Sequence, residues 1–473
     1  MRRLICMTTL AIALSRIAGG VASAQTPASQ IDSYMRARVD LGQFSGAVLV
    51  ARGGNVLLSK GYGYADLELA TPNTNETRFL AASITKPFTA AALVQLRDAG
   101  TLALTDPFCR FVDACPAAWN AITIDQLIHH TSGIPDYEEV YEFGSSRYAQ
   151  AMLGADNVRT ILDTIRPLPL DFVPGSRYHY SNTGYLLLAQ VVERASGRPY
   201  DVYLREHLFV PAGMKNSGIV PVGRLVPHLA TGYSADDGMS IQAIAAGIPL
   251  LESAAYRAMP ASIVAGAHGE GGLYTTVDDL YAWDRALKLG TVIPLASQQE
   301  MFKPGAGNYG FGWTIGMRFG EVDQSHNGLL PGFVSRIDRF PASDVTVIVM
   351  ANVDFAKFTQ ISRDLAALAL GKPYDTPTPR QLAERDRAAE ASYVGTYTLG
   401  PGTKVTVTSG DELLQMRAPG QFNAGLVPFA ATPRRFYVPF FEGDLLFSTD
   451  ASGVVTGFIL HYNGEDVRAI KSS

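Results

Sequence analysis

The residues that can do chemistry begin with a serine and a lysine three positions apart. They belong to the stretch Ser83-Ile84-Thr85-Lys86, which an apolar run follows. A serine hydroxyl is a poor nucleophile until a base takes its proton, and on a helix a lysine three residues later lies on the same face. Burial beside an apolar helix lowers the pKa of a lysine. The alternative is an ordinary helix start with a solvated lysine, and the pattern alone does not decide between them.

Two later segments carry groups that can complement this pair. Tyr180 and Asn182 are separated by one serine; a tyrosine beside a lysine can relay a proton, and an asparagine amide can bind a substrate carbonyl. His326 and Gly328 come just before a predicted strand. Glycine lets the backbone approach a ligand closely, so that an N–H here can complete an oxyanion hole with the N–H of Ser83. Taken singly, the first segment can equally cap a helix and the second can be a Gly/Pro turn.

In this order, the three elements predict acyl transfer from a serine to water. They resemble the motifs of the penicillin-recognising serine hydrolases, which include class C β-lactamases, D-Ala-D-Ala carboxypeptidases, D-aminopeptidases and related esterases. The resemblance covers roughly residues 30–370, and segments 130–134, 209–214 and 271–280 also match. The last 80 or so residues resemble the lipocalin-like β domain that some members carry.

The resemblance implies a role for each residue of the first two motifs. Ser83 is then the acylated nucleophile and Lys86 activates it. Tyr180 acts as general base and later as general acid, and Asn182 contacts the substrate. The resemblance implies no cofactor and no metal.

The third motif departs from the β-lactamase pattern, in which Lys-Thr-Gly places a fixed cation against the substrate carboxylate. Here His326 stands in that place and is mostly neutral at pH 7. Gly328 completes the motif, and the resemblance pairs the N–H of Leu329 with that of Ser83 as the oxyanion hole. The pattern is closer to the D-aminopeptidase and esterase branches.

We therefore expect an exported serine hydrolase that forms an acyl-enzyme on Ser83. It should hydrolyse an ester or an amide, such as a short-chain ester or a D-amino-acid peptide. Two alternatives stay open, a class C-like β-lactamase and a penicillin-binding or peptidoglycan-fragment sensor without turnover. The expected partner is a small ester, peptide or β-lactam, and the oligomeric state is left open.

The N-terminus predicts export. Residues 1–24 combine Arg2 and Arg3 with an apolar stretch and a small-residue cleavage site before Gln25, as secretory signals do. Cleavage removes three of the 39 basic residues and none of the 44 acidic ones, which leaves 36 and 44 and a formal charge of −8. No basic run indicates a nucleic-acid surface, and no later stretch is long enough to span a bilayer. The expected location is periplasmic or secreted.

Two cysteines remain after this cleavage. Cys109 and Cys115 lie six positions apart in a segment with loop character. Export favours a disulfide between them, although two free thiols remain the alternative. Two cysteines alone are too few for a zinc site.

Strands at both ends of the first 370 residues enclose a mostly helical middle, which predicts an α/β sandwich. In it an antiparallel sheet is flanked by helices and joined to an all-helical region. The division is a signal peptide (1–24), a β-lactamase-like domain (25–370), a Pro-rich linker (371–390) and a small C-terminal antiparallel β domain (391–473). Helices are expected near 31–38, 87–99, 123–130, 183–195, 276–289 and 361–370, and the main strands at 45–51, 56–63, 333–339 and 344–353. Six strands are expected after residue 403, at 404–408, 412–417, 436–441, 444–449, 454–462 and 466–471.

Overall fold

The computed structural model describes most of the chain. The described residues are 26–142, 145–153, 157–221, 224–235, 256–259, 268–378, 382–399, 403–418, 422–429, 434–438, 443–462 and 465–472. The predicted signal segment 1–24 lies outside them.

The helices and strands are numbered in chain order. The helices are α1 (Pro27–Asp40), α2 (Lys86–Asp98), α3 (Ile124–Ile128), α4 (Tyr137–Tyr141), α5 (Ser146–Leu153), α6 (Asn157–Ile165), α7 (Asn182–Ser196), α8 (Tyr200–Leu204), α9 (Val210–Ala212), α10 (His268–Gly271), α11 (Val277–Leu289), α12 (Leu295–Met301), α13 (Phe358–Leu370) and α14 (Arg387–Glu390). The strands are β1 (Gly46–Arg52), β2 (Asn55–Tyr62), β3 (Tyr64–Asp66), β4 (Thr71–Pro72), β5 (Phe79–Leu80), β6 (Gly218–Ile219), β7 (Gly232–Ser234), β8 (Arg257–Met259), β9 (Leu273–Thr275), β10 (Thr314–Arg318), β11 (Glu321–Leu330), β12 (Phe333–Phe340), β13 (Val345–Ala351), β14 (Gly395–Leu399), β15 (Thr403–Ser409), β16 (Leu414–Ala418), β17 (Phe422–Pro428), β18 (Arg435–Val438), β19 (Gly443–Thr449), β20 (Val455–Tyr462) and β21 (Glu465–Lys471).

A six-stranded antiparallel sheet joins the two ends of the larger part of the molecule. Its strand order is β10-β11-β12-β13-β1-β2. β1 pairs with β13 from Gly46 opposite Ala351 to Arg52 opposite Val345, so the N-terminal hairpin completes a sheet whose other strands follow the helical middle. The prediction that strands from both ends share one sheet is confirmed.

The neighbouring strands β13 and β1 are covered on both faces. Leu49 and Met350 enter the core that contains α2 and α7, whereas Val48 and Val349 enter a second core that α1 and α13 cover. Successive side chains of a strand point to opposite faces, so a strand covered on both sides needs a continuous apolar run. This explains why residues 345–351 show no polar alternation.

The C-terminal part is a closed antiparallel barrel of eight strands, β14 to β21. Two of these strands, β14 and β17, were missed because their sequences contain Gly, Asn and Pro, which read as turn signals. Inward-facing side chains such as Tyr397, Leu414 and Phe447 fill the interior. With these two additions, the predicted fold class is confirmed.

One local feature agrees with a further expectation. Cys109 and Cys115 form a disulfide with a Cα–Cα separation of 5.7 Å, which closes a short loop beside the helical region. Among the described helices, none combines the length and the apolar character that a bilayer crossing requires.

The doubly covered sheet predicts where truncation of a side chain is costly. Met350 is fully buried in β13, whereas Met317 on edge strand β10 is 69% exposed. We expect Met350→Ala to lower the free energy of unfolding by about 2–5 kcal/mol, and Met317→Ala to change it by less than about 0.5 kcal/mol. Urea denaturation of both variants measures this, and equal losses would contradict the assigned burial.

Candidate active site

Ser83 lies on a short 3-10 helix that leads directly into α2. The 3-10 turn spans Ala82–Thr85 and α2 begins at Lys86. Pro87 fits here because the first turn of a helix does not use its missing N–H. Ala82 has a φ of 50°, in the left-handed region that residues with a Cβ rarely adopt. The Thr85 hydroxyl donates to the Ala82 carbonyl at 2.6 Å and holds this turn closed.

The amine of Lys86 is the centre of the site. Its Nζ lies 2.9 Å from Ser83 Oγ, 2.7 Å from Asn182 Oδ1 and 3.0 Å from the carbonyl oxygen of Glu270. These three contacts use all the hydrogens that an ammonium group can donate. The side chain is fully buried, and this burial lowers the pKa of Lys86 to about 8, although the nearby carboxylates oppose the shift. The lysine predicted from the Ser-x-x-Lys pattern therefore contacts the serine.

Tyr180 lies against the same amine. Lys86 Nζ stands 4.8 Å from the centre of the Tyr180 ring. Burial raises the pKa of Tyr180 well above 10, and a hydrogen bond with Ser83 opposes that rise. The phenol is therefore neutral at physiological pH and is in contact with the nucleophile.

Asn182 is the first residue of α7, and the helix-capping interpretation of its segment is observed. Ser181 caps the helix, since its hydroxyl accepts from the Gly184 N–H at 3.2 Å. The backbone N–H of Asn182 donates to the buried carboxylate of Asp136. Because Asn182 Oδ1 accepts from Lys86, the side-chain NH₂ is the group left to donate to a substrate carbonyl.

His326 lies within β11 and is held by the protein on both sides of its ring. Nε2 lies 2.8 Å from the Tyr309 hydroxyl, and Nδ1 lies 2.6 Å from the carbonyl oxygen of Asn327. This network assigns the proton to Nδ1 and makes Nε2 the acceptor. Burial lowers the pKa of His326 to about 3, and the charge of Lys86 adds to this. The neutral state expected for this histidine agrees with its surroundings.

Gly328 brings β11 close to the residues before the nucleophile. A Cβ at this position would lie 2.1 Å from the carbonyl oxygen of Ala81 and 2.3 Å from Ser335 Oγ, so only glycine allows the approach. Ser335 in turn donates to the Ala81 carbonyl at 2.8 Å. Leu329 follows with its side chain 53% exposed. The third motif thus lies against the segment that positions Ser83.

Buried carboxyl groups near Lys86 were not identified from the sequence. Glu270 Oε1 accepts from the Tyr137 hydroxyl at 3.2 Å, while Oε2 has no partner among the described residues. Burial raises the pKa of Glu270 to about 7 and that of Glu138 to about 8. The sequence feature that could have identified Glu270 is its position, because it directly precedes the matching segment that begins at Gly271.

An aromatic cluster around Tyr180 was also missed. The His130 ring lies 4.4 Å from the Tyr180 ring and 4.6 Å from the Tyr309 ring, measured between centroids. His130 Nδ1 accepts the backbone N–H of Ser181 at 3.0 Å, which anchors the Tyr180 segment. In the sequence, His130 is the last residue of the helix expected near 123–130. Across the part of the chain that the structure describes, no three His, Cys, Asp or Glu side chains form a group suited to a metal ion.

Comparison with known proteins places this geometry in a family. The sequence profile described as Beta-lactamase matches residues 31–371. The chain belongs to the beta-lactamase family. Penicillin-binding protein 4* of Bacillus subtilis is 30% identical over 447 residues, which cover 91% of this chain and 95% of that protein. As a member of this family the chain is a serine hydrolase.

Two further similarities concern the family and the fold. A D-aminopeptidase of Gluconobacter oxydans is 28% identical over 360 residues, which cover 74% of this chain and 62% of that protein. The structure of an octameric penicillin-binding protein homologue from Pyrococcus abyssi superposes with a TM-score of 0.62 at 23% identity, over 93% of this chain and 99% of that one. This last likeness concerns the fold alone.

The close approach at Gly328 gives a prediction for this beta-lactamase family member. Gly328→Ala should lower kcat/KM for hydrolysis of p-nitrophenyl acetate by about 10²-fold. The new Cβ displaces β11 from the Ser83 segment, and a displacement of reacting groups by about 1 Å lowers a rate by about that factor. Gly316→Ala is the matched control, since the same methyl group on β10 meets no atom within 4 Å. Circular dichroism should show both variants folded. Equal activity of the two variants would contradict the tight contact.

Proposed function

We propose that this chain hydrolyses an ester or amide bond through an acyl-enzyme on Ser83. The observation that carries the proposal is the 2.9 Å contact between Lys86 Nζ and Ser83 Oγ, in a site where burial brings the pKa of the lysine to about 8. A buried amine with that pKa can lose its proton near neutral pH and then accept the proton of the serine. The nearby Tyr180 and Asn182 supply the remaining polar groups.

The pKa directions favour Lys86 as the group that first takes the Ser83 proton. Burial raises the pKa of Tyr180 well above 10, so the phenol keeps its proton at neutral pH. A lysine with a pKa of about 8 is neutral in about a tenth of the molecules at pH 7. Tyr180 then holds the proton that a leaving group needs, and Lys86 can return one to it. In this scheme Tyr180 is the general acid of acylation, a role that the family resemblance gave it after that of base.

The proposed reaction has two half-reactions. Ser83 Oγ bonds to the substrate carbonyl carbon as its proton passes to Lys86. The N–H groups of Ser83 and Leu329 stabilise the oxyanion, while the Asn182 amide orients the substrate. The bond to the leaving group breaks as Tyr180 protonates it. Water attacks the ester in the second half-reaction, and the proton steps run in reverse.

The neutral state of His326 affects which class of substrate the site favours. Both of its ring nitrogens are already hydrogen-bonded within the protein, and its pKa of about 3 leaves it uncharged. It therefore offers no fixed cation to a substrate carboxylate. We propose that the substrate is a short-chain ester or the amide of a D-amino acid or D-peptide, and the D-aminopeptidase among the relatives supports this class.

A second candidate is a penicillin-binding protein that acylates but turns over slowly. The similarity to penicillin-binding protein 4* over 91% of the chain favours it. The buried site would accept the same Ser83 attack on a β-lactam. The two candidates differ in the rate of deacylation.

We also propose that the protein acts outside the cytoplasm, in the periplasm or after secretion. The support is the signal-like character of residues 1–24 and the Cys109–Cys115 disulfide, since disulfides persist in oxidising compartments. The expected partner is a small molecule.

The first test is hydrolysis of p-nitrophenyl acetate and D-alanine p-nitroanilide by residues 25–473, beside Ser83→Ala. We expect turnover of at least one substrate, with loss of about 10³-fold or more in the variant. Intact mass after exposure to benzylpenicillin is measured in parallel. A stoichiometric adduct without turnover supports the penicillin-binding candidate. A folded protein that shows no turnover and forms no adduct would refute the acyl-enzyme.

The buried lysine also predicts a pH dependence. If Lys86 must be neutral, kcat/KM for p-nitrophenyl acetate should rise with pH through about 8, the pKa of Lys86. The carboxylate of Glu270 raises the pKa of Lys86, so Glu270→Gln should move this rise to lower pH and increase the relative rate near pH 7. The exposed Glu412→Gln is the control and should leave the profile in place. A shift to higher pH would exclude Lys86 as the base.

A further inference from the structure

Tyr180 lies between two residues whose backbone N–H groups both bind His130. The carbonyl oxygen of His130 accepts the N–H of His179 at 2.9 Å, and its ring Nδ1 accepts the N–H of Ser181 at 3.0 Å. These hydrogen bonds tie the chain on both sides of Tyr180 to a single residue of the loop after α3. A movement of Tyr180 away from this loop therefore breaks at least one of them.

The ring of His130 also packs against the ring of Tyr180. The two centroids are 4.4 Å apart and the planes are inclined by 35°. Tyr309 and Tyr185 pack on the same imidazole, with centroid separations of 4.6 and 5.1 Å. Aromatic rings at these separations attract one another. His130 is only 1% exposed, so solvent does not compete for these contacts.

The hydrogen bond with Ser181 fixes the tautomer of His130. Because Nδ1 accepts an N–H, it carries no proton, and the proton of the neutral ring is on Nε2. Burial lowers the pKa of His130 well below its usual value, and the charge of Lys86 adds to this, so the ring stays neutral at physiological pH. An imidazolium would instead place an N–H against the N–H of Ser181.

Two features of His130 lower the stability of the fold. Its φ is 57°, in the left-handed region, and its Nε2 is buried without a hydrogen-bond partner among the described residues. A buried donor without a partner has lost its hydration and gained nothing in return, and strained backbone is found often at functional sites. Packing alone does not account for a histidine here, because an apolar ring would fill the same space without the unpaired N–H. What the imidazole adds is the acceptor at Nδ1.

We propose that His130 is a positioning residue that directs the Tyr180 hydroxyl toward the leaving group of the substrate. The role rests on the proposed acyl-enzyme chemistry, in which Tyr180 protonates that leaving group. His130 acts through the backbone of Ser181 and through the Tyr180 ring. Loss of its Nδ1 acceptor therefore weakens proton transfer to the leaving group and leaves the attack by Ser83 largely in place.

Two esters of the same acid separate these steps. Ethyl acetate and p-nitrophenyl acetate give the same acetyl-enzyme, so they differ only in the leaving group. Ethoxide is strongly basic and needs a proton to leave, whereas p-nitrophenolate leaves without one. The ratio of the kcat/KM for ethyl acetate to that for p-nitrophenyl acetate therefore reports the proton donor. This ratio does not depend on the fraction of each preparation that is folded.

Two variants in residues 25–473 separate the acceptor from the ring. His130→Phe keeps a ring without an acceptor and should lower the ratio by about 10²-fold. His130→Asn should restore most of the ratio, because Oδ1 of asparagine is attached to Cγ as Nδ1 is and asparagine tolerates the left-handed backbone. His228→Phe is the matched control, since His228 has a φ of 60° and is exposed, and it should leave the ratio unchanged. An unchanged ratio in His130→Phe, or an equal loss in His130→Asn, would overturn the proposal.

A double-mutant cycle links His130 to Tyr180. Tyr180→Phe removes the hydroxyl itself and should lower the same ratio. Adding His130→Phe should then lower it by less than about twofold, because no proton donor remains to be positioned. Fully additive losses would show that His130 acts on another group and would contradict the proposal.

Nitrogen NMR of protein that contains ¹⁵N-labelled histidine reads the same contact without turnover. The signal that His130→Asn removes identifies His130. At neutral pH it should show a neutral ring with the proton on Nε2 and a hydrogen bond accepted at Nδ1. A charged ring, or a proton on Nδ1, would refute the hydrogen bond with Ser181. If the wild type hydrolyses neither ester, the acyl-enzyme proposal fails, and this spectrum still decides whether His130 holds the Ser181 N–H.

Discussion

The site depends on an amine that is removed from water and held by three acceptors. Lys86 contacts a serine hydroxyl, an asparagine amide oxygen and a backbone carbonyl, each from a different segment of the chain. A buried ammonium is costly unless such partners surround it, and the same burial brings its pKa close to neutrality. The fold must therefore bring α2, α7 and α10 to one point with little freedom.

The sheet supplies that rigidity. β11 approaches the Ser83 segment so closely that only a glycine fits at position 328, and Ser335 on β12 holds the Ala81 carbonyl from the same side. Because β12 and β13 lie inside the sheet with both faces covered, neither can shift without disturbing two cores. The segment that carries Ser83 thus packs against β11 and β12, and every residue of β12 is buried.

Sequence reasoning succeeded where chemistry is local to a motif. Ser83 and Lys86 are one helical turn apart, and Asn182 begins a helix that Ser181 caps. Helical spacing and the capping residue were therefore enough to place these three side chains. It failed where a contact is made by a backbone carbonyl or by a residue outside the motif. The Glu270 carbonyl that receives the lysine has no side-chain signature, and Tyr309 reaches His326 from a Gly-rich turn. In the barrel, β14 and β17 were missed because Gly in β14 and Asn, Gly and Pro in β17 are typical of turns, whereas pairing with neighbouring strands of the closed barrel makes both segments strands.

The left-handed backbone of Ala82 has a consequence for how the protein responds to heat. A residue with a Cβ in that conformation costs about 1–2 kcal/mol relative to the right-handed one, and here neighbouring contacts hold it in place. Among them are the hydrogen bond from Thr85 and the Leu273 N–H that binds the same threonine. When those contacts loosen, the turn relaxes while the sheet remains intact. We therefore expect activity to be lost on heating at a lower temperature than the one at which the chain unfolds.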